Sequence, residues 1–371
     1  MSNLRPAEVL VAGGGPAGLA AAIAARQAGF EVAVVDCAQP PIDKACGEGI
    51  MPDGLIALAA LGVRVDASQA AVFRGIRFIH GLQKVEASFP SGVGYGIPRT
   101  LLHQWLADRA AECGVSLHWG RRVTGLSRDG LVVEGNVISS RWLFCADGQN
   151  SKLRKLAGLE PATPPRYRFG FRRHYRVAPW SDFVEVHWSN CGQMYVTPVA
   201  EDQVCVALIT RHHGLRFDAA LASFPQLAAR LDHATILDGT IGAISASRTL
   251  RKVHCGSIAL VGEAAGSVDA ITGEGLAIAF QQAIALAEAL RTGDLTAYEI
   301  AHSRITRMPR RMAALMLLMD NRRWLRERAF RTLVAEPVFF RRMLAMHTGS
   351  LSPGEFGIGS SLSFGWRLLT A

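Results

Sequence analysis

The apolar pattern begins with a short run at residues 8–12 (EVLVA) that does not alternate with polar positions, which predicts a strand buried on both faces, as in a parallel sheet. A glycine-rich turn follows, Gly13-Gly14-Gly15-Pro16-Ala17-Gly18, and opens an alanine-rich stretch to Ala28 with Gly29 behind it. That stretch predicts a helix with a glycine stop. A second apolar run at residues 31–35 ends on Asp36 and completes a strand–helix–strand unit of about thirty residues. Beyond Pro40-Pro41 the pattern predicts a short helix stopped by Gly62, and from residue 73 to 95 it turns to short alternating strands punctuated by glycine. Residues 100–113 read as a helix, and residues 115–119, 131–134 and 137–146 as strands. Residues 167–209 alternate again, which predicts an antiparallel sheet with one wet face. A helix at 217–231, a buried strand at 257–261 and an apolar-faced helix at 273–290 come next, and from residue 294 onward the chain reads as helical and basic.

These elements predict an α/β protein: a doubly wound, Rossmann-like layer interleaved with a smaller antiparallel-sheet substrate domain, plus a helical C-terminal region. The layer takes residues 1–72, 98–165 and 250–295, the substrate domain residues 73–97 and 166–249, and the C-terminal region residues 296–371.

Composition narrows the class. The chain has 371 residues, 49% of them apolar, which is enough to fill a core and excludes a disordered chain. Seven scattered cysteines with no C-x-x-C pair argue for reduced thiols, against a disulfide framework and against a zinc site. No apolar run is long enough to span a bilayer, and the first residues lead straight into a folded motif rather than a signal peptide. The expected location is the cytoplasm, with a peripheral position at the inner membrane face open. The net charge of +9 comes from 35 Arg, 5 Lys and 31 acids.

Gly13-x-Gly15-x-x-Gly18 stands after a strand and at a helix start, where this spacing has a physical meaning. Glycines there permit a tight turn, close approach of backbone to a pyrophosphate and close helix–strand packing, while Pro16 and Ala17 carry the helix N-terminus with its free amides. Asp36, closing the second strand, is placed to accept hydrogen bonds from an adenosine ribose. The candidate is a dinucleotide site, and this motif alone does not separate FAD from NAD. No second strand-associated G-x-G-x-x-G occurs; Gly92-x-Gly94-x-Gly96 and Gly357-x-Gly359 lack its spacing.

Two later segments make the separation. Residues 144–154 (FCADGQNSKLR), with Asp147, resemble the A-D-G-x-x-S-x-x-R segment of flavoprotein hydroxylases, and residues 260–276 (LVGEAAGSVDAITGEGL) resemble the G-D-A-A-G…G-E-G segment of the same superfamily. The chain therefore resembles FAD-dependent oxidoreductases of the aromatic hydroxylase, geranylgeranyl reductase and flavin halogenase group over about residues 7–295. The resemblance implies FAD as cofactor, held through Gly262, Glu263, Gly273 and Gly275 as well as the first glycine cluster, with Arg99 against the cofactor. Residues 44–50 (KACGEGI) look like the K-x-C-G-x-G-I loop of the geranylgeranyl reductases; Gly47 lets backbone approach the flavin, and Cys46 either lies near the ring or is a plain core thiol. Two family positions differ, Glu263 for aspartate and Ala270 for proline. The reductases' W-x-F-P strand end reads here Gly192–Pro198 without a tryptophan, and the halogenase W-x-W-x-I-P box is absent.

The resemblance implies a monooxygenase in which FAD, reduced by transiently docked NAD(P)H, uses oxygen to hydroxylate a hydrophobic phenolic or polyketide-like molecule. The alternatives are reduction of isoprenoid C=C bonds and a flavin electron relay. The substrate pocket is expected against Phe169, Phe171, Trp188, Met194 and Tyr195. His174, His187 and Tyr195 could each polarise a substrate hydroxyl, and no spacing selects among them, so no catalytic residue is assigned.

Charge, mapped along the chain, adds one feature. Residues 300–345 hold eleven arginines against Asp320, Glu327 and Glu336, a net +8, and the rest of the chain is close to neutral. With no base-reading motif beside it, this does not predict nucleic-acid binding. It predicts either contact with an anionic membrane or an acidic carrier protein that delivers a lipophilic substrate, or a solvated helical cap over the FAD domain.

Overall fold

The computed structural model describes residues 7–127, 129–161, 164–352 and 355. Residues 1–6, Gly357-x-Gly359 and the end of the predicted C-terminal region lie outside the described residues.

A six-stranded sheet forms the first layer, in the order His254–Cys255, Ile258–Leu260, Trp142–Cys145, Val9–Ala12, Val32–Val35, Ser116–His118. Its pairings are parallel apart from the first. The unbroken apolar runs are explained by burial: Val9–Ala12, Val32–Val35 and Trp142–Cys145 are buried at every position. Helices Pro16–Gln27, Arg99–Glu112 and Gly275–Thr292 pack onto this layer. The strand expected over 137–146 is two strands. Asn136–Ser139 is largely exposed and belongs to a three-stranded meander with Val123–Leu126 and Gly130–Val133, whereas Trp142–Cys145 is buried in the main sheet. Between them Ser140 donates its hydroxyl to the Ala7 carbonyl at 2.7 Å, which ties the switch point to the first strand.

The second sheet has eight strands, built on Arg166–Arg176, Gln203–Thr210, Gly192–Ala200 and Phe183–Ser189 and extended by Gly75–His80 and Gln83–Ser88. Phe183–Ser189 and Gly75–His80 pair parallel, so the sheet is mixed. The expected wet face is corrected, because both faces are covered. Met194, Val196, Val206 and Leu208 pack under Phe217, Phe224 and Leu227, while Phe78, Val184, Val186 and Trp188 pack under the C-terminal helices. The helix expected over 217–231 is also two, Phe217–Leu221 and Pro225–Leu231. Pro225 has no N–H to continue the first helix and keeps Phe224 out of helical geometry (φ −128°, ψ 68°).

A three-stranded patch, Gly49–Ile50, Gly94–Gly96 and Ala71–Phe73, stitches the layers together. Gly96 is required there: a Cβ on it would lie 1.7 Å from the Pro198 carbonyl oxygen. The chain ends in a cap of three helices, Leu295–Asn321, Arg323–Ala335 and Pro337–His347. Its inner face carries Met312, Met316, Phe330 and Phe340 into the sheet, with the Phe340 ring centroid 4.8 Å from that of Phe78. One of the eleven arginines is consumed in this packing. Arg326 is 1% exposed and donates to the Met319 and Asp320 carbonyls at the end of the preceding helix and to Asn190.

Candidate active site

One cavity of about 750 Å³ runs between the layers, from the glycine-rich turn to the inner face of the cap. At its polar end lie Gly13, Gly15, Pro16 and Ala17, with Asp36 at the end of the second strand. Gly13 has φ +112°, and a Cβ there would meet the Ala146 carbonyl oxygen at 2.4 Å, so only glycine fits. Gly15, by contrast, has nothing within 4 Å of its Cβ position: the space beside it is the cavity. Gly18 does not line the cavity. Its Cβ position lies 1.8 Å from the Gly13 carbonyl oxygen, so its absent side chain is needed for helix–strand packing. Asp36 accepts hydrogen bonds from the amides of Gly14 (2.6 Å) and Ala38 (2.8 Å) and so holds the turn while facing the cavity. His103, which the sequence reading did not single out, is buried and bonds the Gly14 carbonyl at 2.9 Å from the facing helix.

The middle of the cavity is walled by Asp147, Gly262, Glu263, Gly273 and Gly275, and by Cys46, Gly47 and Arg99 on the opposite side. Asp147 accepts from the Ser151 hydroxyl (2.5 Å) and the Leu153 amide (3.2 Å), which closes its loop. Glu263 pairs with Lys44 at 2.6 Å and so ties the 44–50 loop across the cavity. Gly262 (φ +63°) donates its amide to buried Gln282. The Cβ positions of Gly47, Gly273 and Gly275 are all open. Arg99 keeps a buried Nε with no partner among the described residues. Burial raises the Cys46 thiol above its ordinary range, which keeps it protonated and removes it as a nucleophile.

Behind the loop lies an ionic cluster that sequence reading missed. Glu48, buried and at φ +60°, accepts from the Arg99 amide (2.9 Å) and Arg172 (3.3 Å) on one oxygen and bonds His174 Nε2 (2.6 Å) with the other. Arg172 reaches Asp43 at 2.7 Å, and His174 Nδ1 reaches Asp238 at 2.9 Å. Burial alone would push His174 down, but its bonds to Glu48 and Asp238 outweigh burial and raise it. The cluster joins the 44–50 loop to the eight-stranded sheet. Glu48, His174 and Cys205 offer ligand atoms within 4.8 Å of one another. A metal is disfavoured there because Arg172 already sits on the carboxylate and burial holds the Cys205 thiol protonated.

At the apolar end the wall is Phe78, Val186, Tyr195, Met312, Met316 and Phe340. Of the five aromatic and methionine residues expected here, Phe171 and Tyr195 line the cavity. Met194 and Trp188 are in the sheet's two packing cores, and Phe169 stacks edge-on with His213. Strand alternation told which positions share a face, not which face the cavity takes. The three candidate polar groups are also placed: Tyr195 donates its hydroxyl to the Ile271 carbonyl (2.6 Å), His187 bonds Glu185 (3.1 Å) away from this cavity, and His174 belongs to the ionic cluster. The histidine on the wall, among the described residues, is His347 of the cap. Its Nε2 donates to the Thr272 carbonyl (3.2 Å), and its Nδ1 lies 3.6 Å from Glu274 Oε2; both facing atoms are buried without a hydrogen-bond partner among the described residues.

Burial, with the Asp53 carboxylate beside it, raises Glu274 well above the ordinary range, and burial pushes His347 down to about 4. Both shifts favour the uncharged forms of the pair. A carboxyl whose pKa is higher folded than unfolded stabilises in acid, and that contribution is lost as pH rises from its ordinary 4.5 through the raised value. Glu274→Gln is expected to melt higher than the parent at about pH 8, with the gap closing toward about pH 4. Parallel melting curves across that range would refute the assignment.

The donor set fits FAD. The cavity has an open glycine cradle at a helix N-terminus, carboxylates at two strand ends and an orphaned buried Arg99 Nε. Comparison with known proteins agrees. Residues 6–294 match the FAD binding domain family. The menaquinone reductase of Mycolicibacterium smegmatis is 27% identical over 351 residues, covering 84% of this chain and 85% of that protein. Digeranylgeranylglycerophospholipid reductase 1 of Methanopyrus kandleri is 28% identical over 295 residues, covering 72% and 76%. Among solved structures, a flavoprotein/dehydrogenase from Cytophaga hutchinsonii superposes with TM-score 0.79 at 19% identity over 92% of this chain and 93% of that one. A geranylgeranyl bacteriochlorophyll reductase-like protein from Thermoplasma acidophilum gives 0.73 at 18%, over 97% and 96%. The match runs through the glycine cradle, the A-D-G turn and the T-G-E-G loop alike, so the chain belongs to the FAD-binding domain family and is an FAD-dependent oxidoreductase.

Proposed function

We propose that this protein is a reductase that saturates carbon–carbon double bonds in a long isoprenoid chain, with NAD(P)H as the transient reductant of its flavin. The observation that carries the reading is the continuity of the cavity: its polar end is a dinucleotide cradle and its far end is an apolar sleeve rich in methionine. Methionine side chains are unbranched and adaptable, so Met312, Met316 and Met319 can follow a linear chain in more than one register. The relatives' names, menaquinone reductase and digeranylgeranylglycerophospholipid reductase, support the same substrate class. They shift the balance away from the hydroxylase reading of the motifs. The placement of the polar groups shifts it the same way, because the Tyr195 hydroxyl, His187 and His174 are all engaged by protein partners and none is free to polarise a phenol.

FAD, when bound, would supply the hydride. Saturation also needs a proton, and His347 on the wall, with Glu274 buried behind it, is the pair of this chain that would hold one there. The apolar sleeve would keep water from a bound chain, and the loop 44–50, clamped by Lys44–Glu263 and by the Glu48 cluster, gives the cavity a fixed wall.

The test is anaerobic incubation of the FAD-loaded protein with NADPH and a quinone bearing an unsaturated isoprenoid tail, followed by mass spectrometry. The expected product has gained two hydrogens in the tail. A product hydroxylated in air, or a quinol with an unchanged tail, would overturn the reading. Met316→Trp, which fills the sleeve, is expected to lower kcat/KM for the chain substrate by at least about tenfold, roughly 1.4 kcal/mol. Flavin content and the rate of flavin reduction should stay unchanged.

A further inference from the structure

The cap helix Leu295–Asn321 has two faces. Its inner face puts Thr306, Met312, Met316 and Met319 on the cavity wall. Its outer face, nearly opposite, shows Ile300, Arg304, Arg307, Arg311, Ala314 and Leu318, at helical spacings of four, three, four, three and four, and all six are exposed. Ile300 is 51% and Leu318 49% exposed, large values for residues that could have packed inward. None of the three arginines has a carboxylate partner among the described residues. The helix's two acids are turned away from this stripe: Asp320 is buried against Arg168, and Glu299 faces His254 and the Val253 amide. The stripe reaches the corner with the next helix, where Trp324 is 50% exposed.

A 27-residue helix is about 40 Å long. The three arginines lie on two consecutive turns, about 10 Å of that length, flanked by Ile300 on one side and Ala314 and Leu318 on the other with no exposed acid among them. This straight basic strip with apolar ends matches a flat anionic surface with an apolar interior. An acidic globular partner would instead meet a curved, discontinuous footprint. We propose that the outer face of this helix, with Trp324 at its end, docks the protein on an anionic lipid bilayer. In that orientation this helix, about 10 Å across, is what separates the cavity from the lipid, which brings the sleeve next to a membrane-dissolved chain. The delivery role rests on the chain-reductase reading; the docking itself does not.

The test uses full-length, FAD-loaded protein and vesicles of phosphatidylcholine alone or with phosphatidylglycerol, read by co-sedimentation. The expected result is binding to the anionic vesicles, weakened by salt, with little to the neutral ones. The combined substitution Arg304→Glu, Arg307→Glu and Arg311→Glu is expected to lower the partition coefficient at least about tenfold, with an unchanged flavin spectrum. Leu318→Ser with Trp324→Ser is expected to weaken binding without changing its salt dependence. Equal binding to both vesicle types, no binding to either, or a triple variant that binds as the parent would overturn the proposal. So would capture by a purified acidic carrier protein in place of vesicles. Turnover is not the readout, so a protein that docks yet reduces no isoprenoid leaves this inference standing, and one that reduces soluble short-chain substrate without docking removes it alone.

Discussion

Replacing Gly15 with valine is expected to give a folded protein that purifies without flavin. Gly15 sits at the start of the Pro16–Gln27 helix with φ −69° and ψ 174°, a conformation open to any residue, and no atom lies within 4 Å of its Cβ position. The substitution therefore creates neither backbone strain nor a clash within the protein. What it fills is the space facing the helix N-terminal amides. A phosphate pushed off those amides loses at least one charge-assisted hydrogen bond, roughly 1.5–3 kcal/mol, or about ten- to a hundredfold in Kd. The readouts are the visible spectrum and the circular dichroism of the same preparation. Gly13→Ala is the contrasting case: with φ +112° and a carbonyl oxygen 2.4 Å away, it is expected to disturb folding itself. A yellow Gly15→Val protein with full flavin occupancy would place the cofactor elsewhere.

The second large effect is expected at Glu48. Removing its carboxylate with Glu48→Ala takes away the fully buried partner of Arg172 and His174, which keep only the more exposed Asp238 and, for Arg172, Asp43; breaking a buried ion pair from one side costs up to about 3–5 kcal/mol. The side chain also secures a residue held at φ +60°, a conformation that costs a non-glycine residue on the order of 1 kcal/mol or more. The apparent melting midpoint should fall by several degrees, and limited proteolysis should cut first in the 40–50 loop, which loses its anchor on the substrate sheet. Glu48→Gln keeps the shape and one acceptor and should fall between the two. His174, raised in the folded state, contributes stability that is present in acid and lost as pH rises from its ordinary 6.5 through the raised value. In Glu48→Ala that slope should flatten. A melting curve for Glu48→Ala that overlays the parent would show that the cluster holds nothing together.

Much of this molecule was legible from local pattern. The strand–turn–helix at residues 9–27 was readable because each of its requirements is local: an unbroken apolar run, glycines where backbone must come close, and a proline where a helix begins. The same holds for the acids at the strand ends, Asp36 and Asp147, which need only chain order to be placed. The misreadings share a cause. Residues 137–146 look like one apolar strand until Ser140 bonds back to Ala7 and divides them between two sheets. The alternation at 167–209 predicts a wet face that helices from residues 217–231 and from the cap cover instead.

The sequence alone determined that this chain has a dinucleotide cradle, a flavoprotein order of motifs and a basic helical end, because those features are written in the spacing of a few neighbouring residues. The tertiary structure decided which side chains face the cavity, that Glu48 from the 44–50 loop meets Arg172 and His174 from the sheet, and that His347 reaches back to Glu274. It also decided that the basic helix turns Met312, Met316 and Met319, with Arg310, to the cavity and Arg304, Arg307 and Arg311 outward. Those pairings join residues 70 to 130 positions apart, and only burial of the two layers against one another, with the desolvation that makes an unpaired charge costly, selects them from the many that the chain could form.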